Sequence, residues 1–459
     1  MKYLNQMDAV FLRMDAPGTP MHAGCLLTFK LPKGAPKDFM RTLLNGMRKA
    51  PMPAPFCYKL ASTRLVKIAP AWVDAPDLDP TYHIRHSALP APGGERDLGE
   101  LIARLHSAPV DLARPLWEVH LIEGLENRRF AVYVKAHHAC ADGATAMRNI
   151  GEWLTIDPEN KETSRSFAGA TEPQTADKKK PGKPRRVRRS PLSKAIAQLT
   201  AVPELLGALA KMNRRSSHPE GGFYSAMETP RTPFNAPVTA QRRLATQRYD
   251  FQRFKALSEA TGTSINDIVL TVTGGAIRRY LIEGNALPKK TLIASVPVAI
   301  KSSNKSGGNA VAGFVVPLGT DRSDPLQRLK RIHAVTSRTK EELQALSSEA
   351  VMMFAGVGFM PMLLGQATGL NAVMPRLTNI TVSNVPGPKE RRYLCGAEME
   401  AIYPVGLLFD GYAINLTLVS YAGQYCFSYL GCRDALPHLQ RLAVYTGKAL
   451  EDLEKKVGL

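Results

Sequence analysis

The six cysteines of this 459-residue chain, at positions 25, 57, 140, 395, 426 and 432, include no CxxC pair. That scatter excludes a disulfide scaffold and a zinc ribbon, and it fits reduced, packed thiols in a cytosolic protein. Met1 to Asp8 lacks the apolar core of a signal peptide, so export is not expected. There is no G-x-S-x-G elbow, no Walker A loop and no Rossmann glycine fingerprint. Their absence argues against a serine esterase, a P-loop nucleotidase and a dinucleotide-dependent oxidoreductase. Acidic residues are few beside basic ones, 40 against 60, which leaves a formal charge of +20. Such a surplus points to anionic partners: nucleic acid, anionic lipid or phosphorylated substrates. No aromatic platform or recognition motif accompanies the charge, so nucleic acid is set aside.

The length predicts two domains, and an apolar fraction of 44% is enough for packed cores. More than half of the basic excess sits in residues 178–215, which carry twelve Lys/Arg against the single Glu204. Lys178 to Arg189 is too charged and proline-rich to fold alone. Beyond it, Leu192, Ile196, Leu199, Leu206, Leu209 and Met212 form an apolar stripe at helical spacing, interrupted by Pro203. That stripe reads either as a membrane-surface helix with a polybasic neighbour or as a linker helix docked on the body. From Ala350 to Pro375 there is no charge. Gly356, Gly358, Pro361, Gly365 and Gly369 weaken a transmembrane reading and favour a buried or lipid-touching helix pair.

The stretch His137-His138-Ala139-Cys140-Ala141-Asp142-Gly143 stands where a strand gives way to a helix. Before it, Phe130, Val132 and Val134 alternate at period two; after it, Met147, Ile150 and Leu154 recur at helical spacing. Trp117 to Gly124 predicts a strand pairing with the first, through a turn at Glu126-Asn127-Arg128. Asp142 is placed to cap the helix, and Gly143 permits backbone angles or close approach that a Cβ would hinder. Taken alone, the motif admits three readings. It is a buried polar turn with satisfied histidines, a metal site through His138 and Asp142, or a general base for acyl transfer. No HExxH or matching Cys/His cluster supports the metal. Cys140 reads as a neutral filler. Further on, Phe251, Phe254 and Leu257 predict a helix ending at Gly262, and Ser264 with Asp267 reads as an N-cap pair opening the next one. Strands are predicted at 291–300, 310–318 and 377–385, a hairpin at 412–430, and helices at 325–346 and 436–457.

HHACADG resembles the HHxxxDG signature of the coenzyme A-dependent acyltransferases. Further segments resemble, in order, the bacterial wax ester synthase/diacylglycerol acyltransferases: Met7-Asp8-Ala9, Thr19-Pro20-Met21-His22, Pro115-Leu116-Trp117, Asn266-Asp267, Gly308-Asn309 and Ser383 to Pro388. The resemblance covers nearly the whole chain outside the linker. It implies an α+β fold, an α/β sandwich of two chloramphenicol-acetyltransferase-like domains with an active-site tunnel between them. The domains would be residues 1–160, carrying HHxxxDG, and 241–459, joined by a basic, partly helical linker at 161–240. It implies transfer of a long fatty acyl group from acyl-CoA to a fatty alcohol or diacylglycerol, with no permanently bound cofactor and no metal. His138 would be the general base, with His137, Asp142 and Gly143 supporting the motif. Asn266, with Asp267, would serve the oxyanion or positioning. Pro115, Leu116, Trp117, Ser383, Asn384, Gly356 and Gly358 would meet substrate. Peripheral contact with an anionic membrane or lipid-inclusion surface is expected. The rivals are a non-catalytic lipid-binding protein of the same fold and an acyltransferase using a small polar acceptor.

Overall fold

The computed structural model describes residues 2–4, 6–64, 70–168, 229–300, 310–344, 365 and 376–459. The first half comprises β1 (Lys2–Tyr3), α1 (Gln6–Met14), β2 (His22–Lys30), α2 (Phe39–Lys49), β3 (Tyr58–Leu60), β4 (Ala71–Asp74), α3 (Pro80–His83), β5 (Ile84–Gly93), α4 (Glu95–Ser107), β6 (Trp117–Leu125), β7 (Arg129–His137) and α5 (Gly143–Trp153). The second half adds β8 (Arg242–Asp250), α6 (Phe251–Thr261), α7 (Ile265–Glu283), β9 (Ile293–Ile300), β10 (Ala310–Pro317) and α8 (Pro325–Gln344). It closes with β11 (Ile380–Pro386), β12 (Tyr393–Leu394), β13 (Ala397–Val405), β14 (Ile414–Tyr421), β15 (Gln424–Cys432) and α9 (Gln440–Val457). The linker stripe at 192–212, Gly308-Asn309 and the 350–375 segment apart from Gly365 lie outside the described residues.

Local signals explain most boundaries. Asn127 and Arg128, with φ of 61° and 57°, make the left-handed turn that joins β6 to β7. Gly262, at φ 65°, ends α6, and Ser264 with Asp267 forms the capping box that opens α7.

Two mixed six-stranded sheets result, in the orders β12-β13-β2-β7-β6-β5 and β10-β9-β11-β14-β15-β8. Strand β13 pairs antiparallel with β2, from Glu398 opposite Lys30 to Val405 opposite Gly24. Chain from beyond the linker therefore covers an edge of the first sheet that would otherwise expose unpaired main-chain groups. One core lies on a face of the first sheet and another among α6 to α9 and the second sheet. A third apolar cluster joins the halves through Leu26, Ile102, Tyr133, Leu244, Tyr403 and Leu430. Strand β7 is buried on both sides: Phe130 and Val132 enter the first core, Ala131 and Tyr133 the joining cluster. No helix among the described residues is long and apolar enough to cross a membrane.

Under α4 the joining side of β7 turns polar. Lys135 lies opposite Glu118 on β6 and forms a buried ion pair with it at 3.1 Å. The Lys135 ammonium also donates to the carbonyls of Leu105 and Ala108, satisfying the end of α4. His120 and Arg85 approach Glu118 at 3.3 and 3.4 Å. Burial alone would raise the Glu118 carboxyl, but the His120 hydrogen bond and the charges of Lys135 and Arg85 overcome it and hold it at about 2. His106 accepts from the Tyr133 hydroxyl at 2.6 Å and donates to the Gly406 carbonyl at 3.2 Å, tying α4 to the loop after β13. The main-chain N–H of Arg242 on β8 donates to Ser107 at 2.9 Å, adding a second tie across the halves.

Glu118→Gln leaves the buried Lys135 charge without its counter-ion and should lower stability by about 3–5 kcal/mol. The double variant Glu118→Gln/Lys135→Met should lose less than Glu118→Gln alone. Urea unfolding of the three proteins checks both the size and the order.

Candidate active site

Two main-chain bonds fix the ends of the histidine pair. The N–H of His137 donates to the Leu116 carbonyl and the N–H of His138 donates to the Met21 carbonyl, each at 2.8 Å. The chain then reverses: Cys140 N–H donates to the His137 carbonyl at 2.9 Å, and Ala139 N–H to His137 Nδ1 at 3.1 Å. Asp142 ends the turn as the N-cap of α5, its carboxylate accepting from Thr145 N–H at 2.7 Å. Gly143 needs no positive φ, and a Cβ built there meets nothing within 4 Å among the described residues. Among the described residues nothing at Gly143 calls on the backbone freedom or close approach that a glycine permits, and it stands on the helix side of the turn.

The two rings have different environments. His137 is fully buried, its Nδ1 is used by Ala139, and Nε2 has no partner among the described residues. Burial, reinforced by His138, pushes it down to about 3, so it stays neutral and holds the turn. His138 is half-buried and its ring stacks on Phe11 of α1, with centroids 4.1 Å apart and planes at 27°. Burial lowers the His138 pKa, while the Asp142 charge and a hydrogen bond to the residue's own carbonyl oppose that shift. A neutral imidazole is what a general base needs at pH 7. Cys140 is buried and pushed up to about 12, so it is a thiol rather than a nucleophile.

The structure distributes the other expected site residues unevenly. Pro115, Leu116 and Trp117 are all buried, with Leu116 and Trp117 showing no exposed surface. Trp117 donates its indole N–H to Phe56 and accepts from His83 at its carbonyl, while Leu116 holds His137. Among the described residues these three stand behind the histidine strand and support it. Asp267 is likewise a structural group. Its carboxylate accepts from Ser264 N–H, from His333 Nδ1 at 2.9 Å and from the Thr336 hydroxyl at 2.6 Å, tying α7 to α8. Asn266 beside it is half-buried in the first turn of α7. Ser383 and Asn384 are half-buried near the end of β11, where Asn384 donates to the Tyr425 hydroxyl at 3.2 Å. Val385 next to them packs against the first core. Gly356 and Gly358 lie outside the described residues.

Phe11 escaped sequence reading because nothing in a short amphipathic helix marks a contact 127 positions away. His22 enters sequence reading only as part of the Thr19 to His22 segment, without its contacts. It faces His137 across the ladder and donates Nε2–H to the His106 carbonyl at 2.8 Å.

Family profiles match nearly the whole chain. Residues 4–269 match the one described as the wax ester synthase/diacylglycerol acyltransferase catalytic domain, and residues 307–454 match the C-terminal domain of the same family. The chain is 45% identical over 455 residues to a putative diacylglycerol O-acyltransferase of Mycobacterium tuberculosis, with 99% of each chain covered. It superposes on the wax ester synthase/diacylglycerol acyltransferase of Marinobacter aquaeolei with a TM-score of 0.79 at 32% identity, covering 100% of both chains. The first condensation domain of the CDA synthetase matches with a TM-score of 0.57 at 16% identity, covering 100% of this chain and 96% of that one, and shares the fold.

His22 and His137 are both pushed from 6.5 to about 3, principally by burial. Between those values the unfolded chain binds a proton at each site that the folded chain refuses. Their contribution to stability is therefore complete above about 6.5 and lost as pH falls toward about 3. Each histidine should add a slope of about 1.4 kcal/mol per pH unit inside that window. Unfolding free energies measured from pH 7 to pH 4 should show a shallower slope for His137→Gln than for the parent.

Proposed function

The chain belongs to the wax ester synthase/diacylglycerol acyltransferase family and is an acyltransferase; on that premise we propose that it moves a long-chain acyl group from coenzyme A to a lipid alcohol by direct attack, with His138 as the base. The two acyltransferase domains are assigned to residues 1–160 and 241–459, joined by the linker at 161–240. The observation that carries the mechanism is the half-buried His138 ring at the end of β7, kept neutral at pH 7 by burial.

An alcohol is a poor nucleophile at pH 7, and a positioned base contributes about 10²–10⁴ in rate. His138 Nε2 takes the hydroxyl proton as the alcohol oxygen attacks the thioester carbonyl. The new C–O bond forms, the tetrahedral intermediate collapses, the C–S bond breaks, and the departing thiolate recovers the proton from His138. No enzyme nucleophile is needed. The thioester oxygen gains negative charge on the way and requires donors. Asn266, in a first helical turn where N–H groups and the helix dipole converge, is our first assignment, with Ser383 and Asn384 as alternatives. One such donor is worth about 2.7–4 kcal/mol.

Both acyl chain and acceptor are insoluble. The charge of +20, concentrated in residues 178–215, suits an anionic membrane or inclusion surface as well as the phosphates of coenzyme A. The uncharged stretch from Ala350 to Pro375 is the sequence candidate for an apolar route by which lipid reaches the site.

Purified enzyme given palmitoyl-CoA with hexadecanol, or with a diacylglycerol, should release free thiol and form the matching ester. His138→Ala should lower kcat by about 100-fold or more while leaving the unfolding transition in place. A His138→Ala enzyme that keeps most of its turnover would remove the base assignment. Gly356→Leu or Gly358→Leu should shift chain-length preference across a series of alcohols and acyl-CoAs; an unchanged profile would remove the route.

A further inference from the structure

The catalytic ring is held from the side as well as along its edge. In many histidine bases a carboxylate fixes ring orientation from the far nitrogen. Here Asp142, the nearest carboxylate in sequence, caps α5, and the hydrogen bond acting on His138 is to its own backbone. One intraresidue bond along one edge leaves the tilt of the ring undetermined. Phe11 supplies what is missing. Its ring lies over His138 at a centroid distance of 4.1 Å with the planes 27° apart, which is van der Waals contact over most of a face.

The placement of Phe11 is built rather than incidental. Leu12, next to it on α1, is 1% exposed and belongs to the first core, and Ala9 and Met14 are buried on the same helix. Just beyond the helix, the Asp15 carboxylate accepts from Met21 N–H at 2.7 Å, and the Met21 carbonyl accepts from His138 N–H at 2.8 Å. Two hydrogen bonds and one core anchor thus fix α1 relative to the histidine. Phe11 itself is half-exposed, so it covers the ring where it would otherwise meet water.

We propose that Phe11 is a positioning residue for this acyl transfer, a flat aromatic cover that sets the tilt of His138 and shields one of its faces. The proposal rests on His138 being the base. Misplacing a reacting group by about 1 Å is enough to cost about 100-fold, so loss of the cover should be read in kcat. It should also be read in pH dependence. A ring given back to water titrates closer to the ordinary 6.5, so the acid limb of the kcat/KM profile should move to higher pH.

The test compares Phe11→Ala, Phe11→Leu and Phe11→Tyr with palmitoyl-CoA and hexadecanol, each also in a His138→Ala background. Phe11→Ala should lose about tenfold or more in kcat, with KM for the acyl-CoA within about twofold of the parent. Its acid limb should move up. Phe11→Tyr keeps the flat face and should stay within about twofold of the parent; Phe11→Leu keeps bulk but not flatness and should fall between. Unaltered kcat in Phe11→Ala, or Phe11→Leu equal to the parent, overturns the proposal. If Phe11→Ala does not fold, the contrast between Tyr and Leu decides alone. In the His138→Ala background, Phe11→Ala should change nothing, and a further loss there would show that Phe11 acts elsewhere. Near-parental activity of His138→Ala with a normal Phe11 would sink the base assignment itself, a result distinct from a failed Phe11 series.

Discussion

The bond from His138 N–H to the Met21 carbonyl is the constraint on which the site depends. With its counterpart from His137 to Leu116, it continues the sheet's hydrogen bonding one residue past the last ladder position. The turn thereby leaves the sheet at a fixed point between β2 and β6. Because β2 and β6 are each held by neighbours on their far sides, β13 and β5, the pair of histidines inherits the rigidity of a six-stranded sheet. A side chain carried on a free loop would lose orientation to chain motion; one carried here loses it only with the sheet.

That rigidity draws on both halves of the chain. Strand β13 closes the edge of the first sheet, and the joining cluster packs Leu26 and Tyr133 of one half with Leu244 and Tyr403 of the other. The polar groups beneath β7 work in the same direction. Lys135 and Glu118 neutralise each other in the interior, and the remaining Lys135 donors satisfy the end of α4, so the strand, the helix and the opposite half are mutually positioned. A buried ion pair contributes little net stability over an apolar pair of equal size, but each partner strongly penalises arrangements that leave the other alone. Its effect here is to hold the strand in register.

Division of labour within the motif follows from depth. His137 is sealed from solvent and stays neutral, serving as a hydrogen-bond acceptor for the turn. His138, one residue later, is half-buried and is covered by Phe11 on one face. Asp142 contributes at a distance: its charge opposes the loss of basicity that burial imposes, while its oxygen holds the helix that follows. Asp267, by contrast, is consumed by the α7 to α8 junction, and Leu116 and Trp117 by the strand.

Sequence by itself determined the parts of this protein governed by near neighbours. The β6–β7 hairpin, the caps at Asp142 and Ser264, the stop at Gly262 and the strand-to-helix setting of HHACADG were all legible, because turn angles, capping and periodicity act over a few residues. The motifs also made the family legible. The ion pair of Glu118 with Lys135, the tie from His106 to Gly406 and the face of Phe11 on His138 were decided only by tertiary structure. Their partners stand 17, 300 and 127 positions apart, and no local periodicity encodes which distant side chains a fold will bring into contact. Period two in β7 suggested one buried face. The second became buried because α4 and the other half of the chain pack on it, a consequence of assembly that the strand's own residues do not announce.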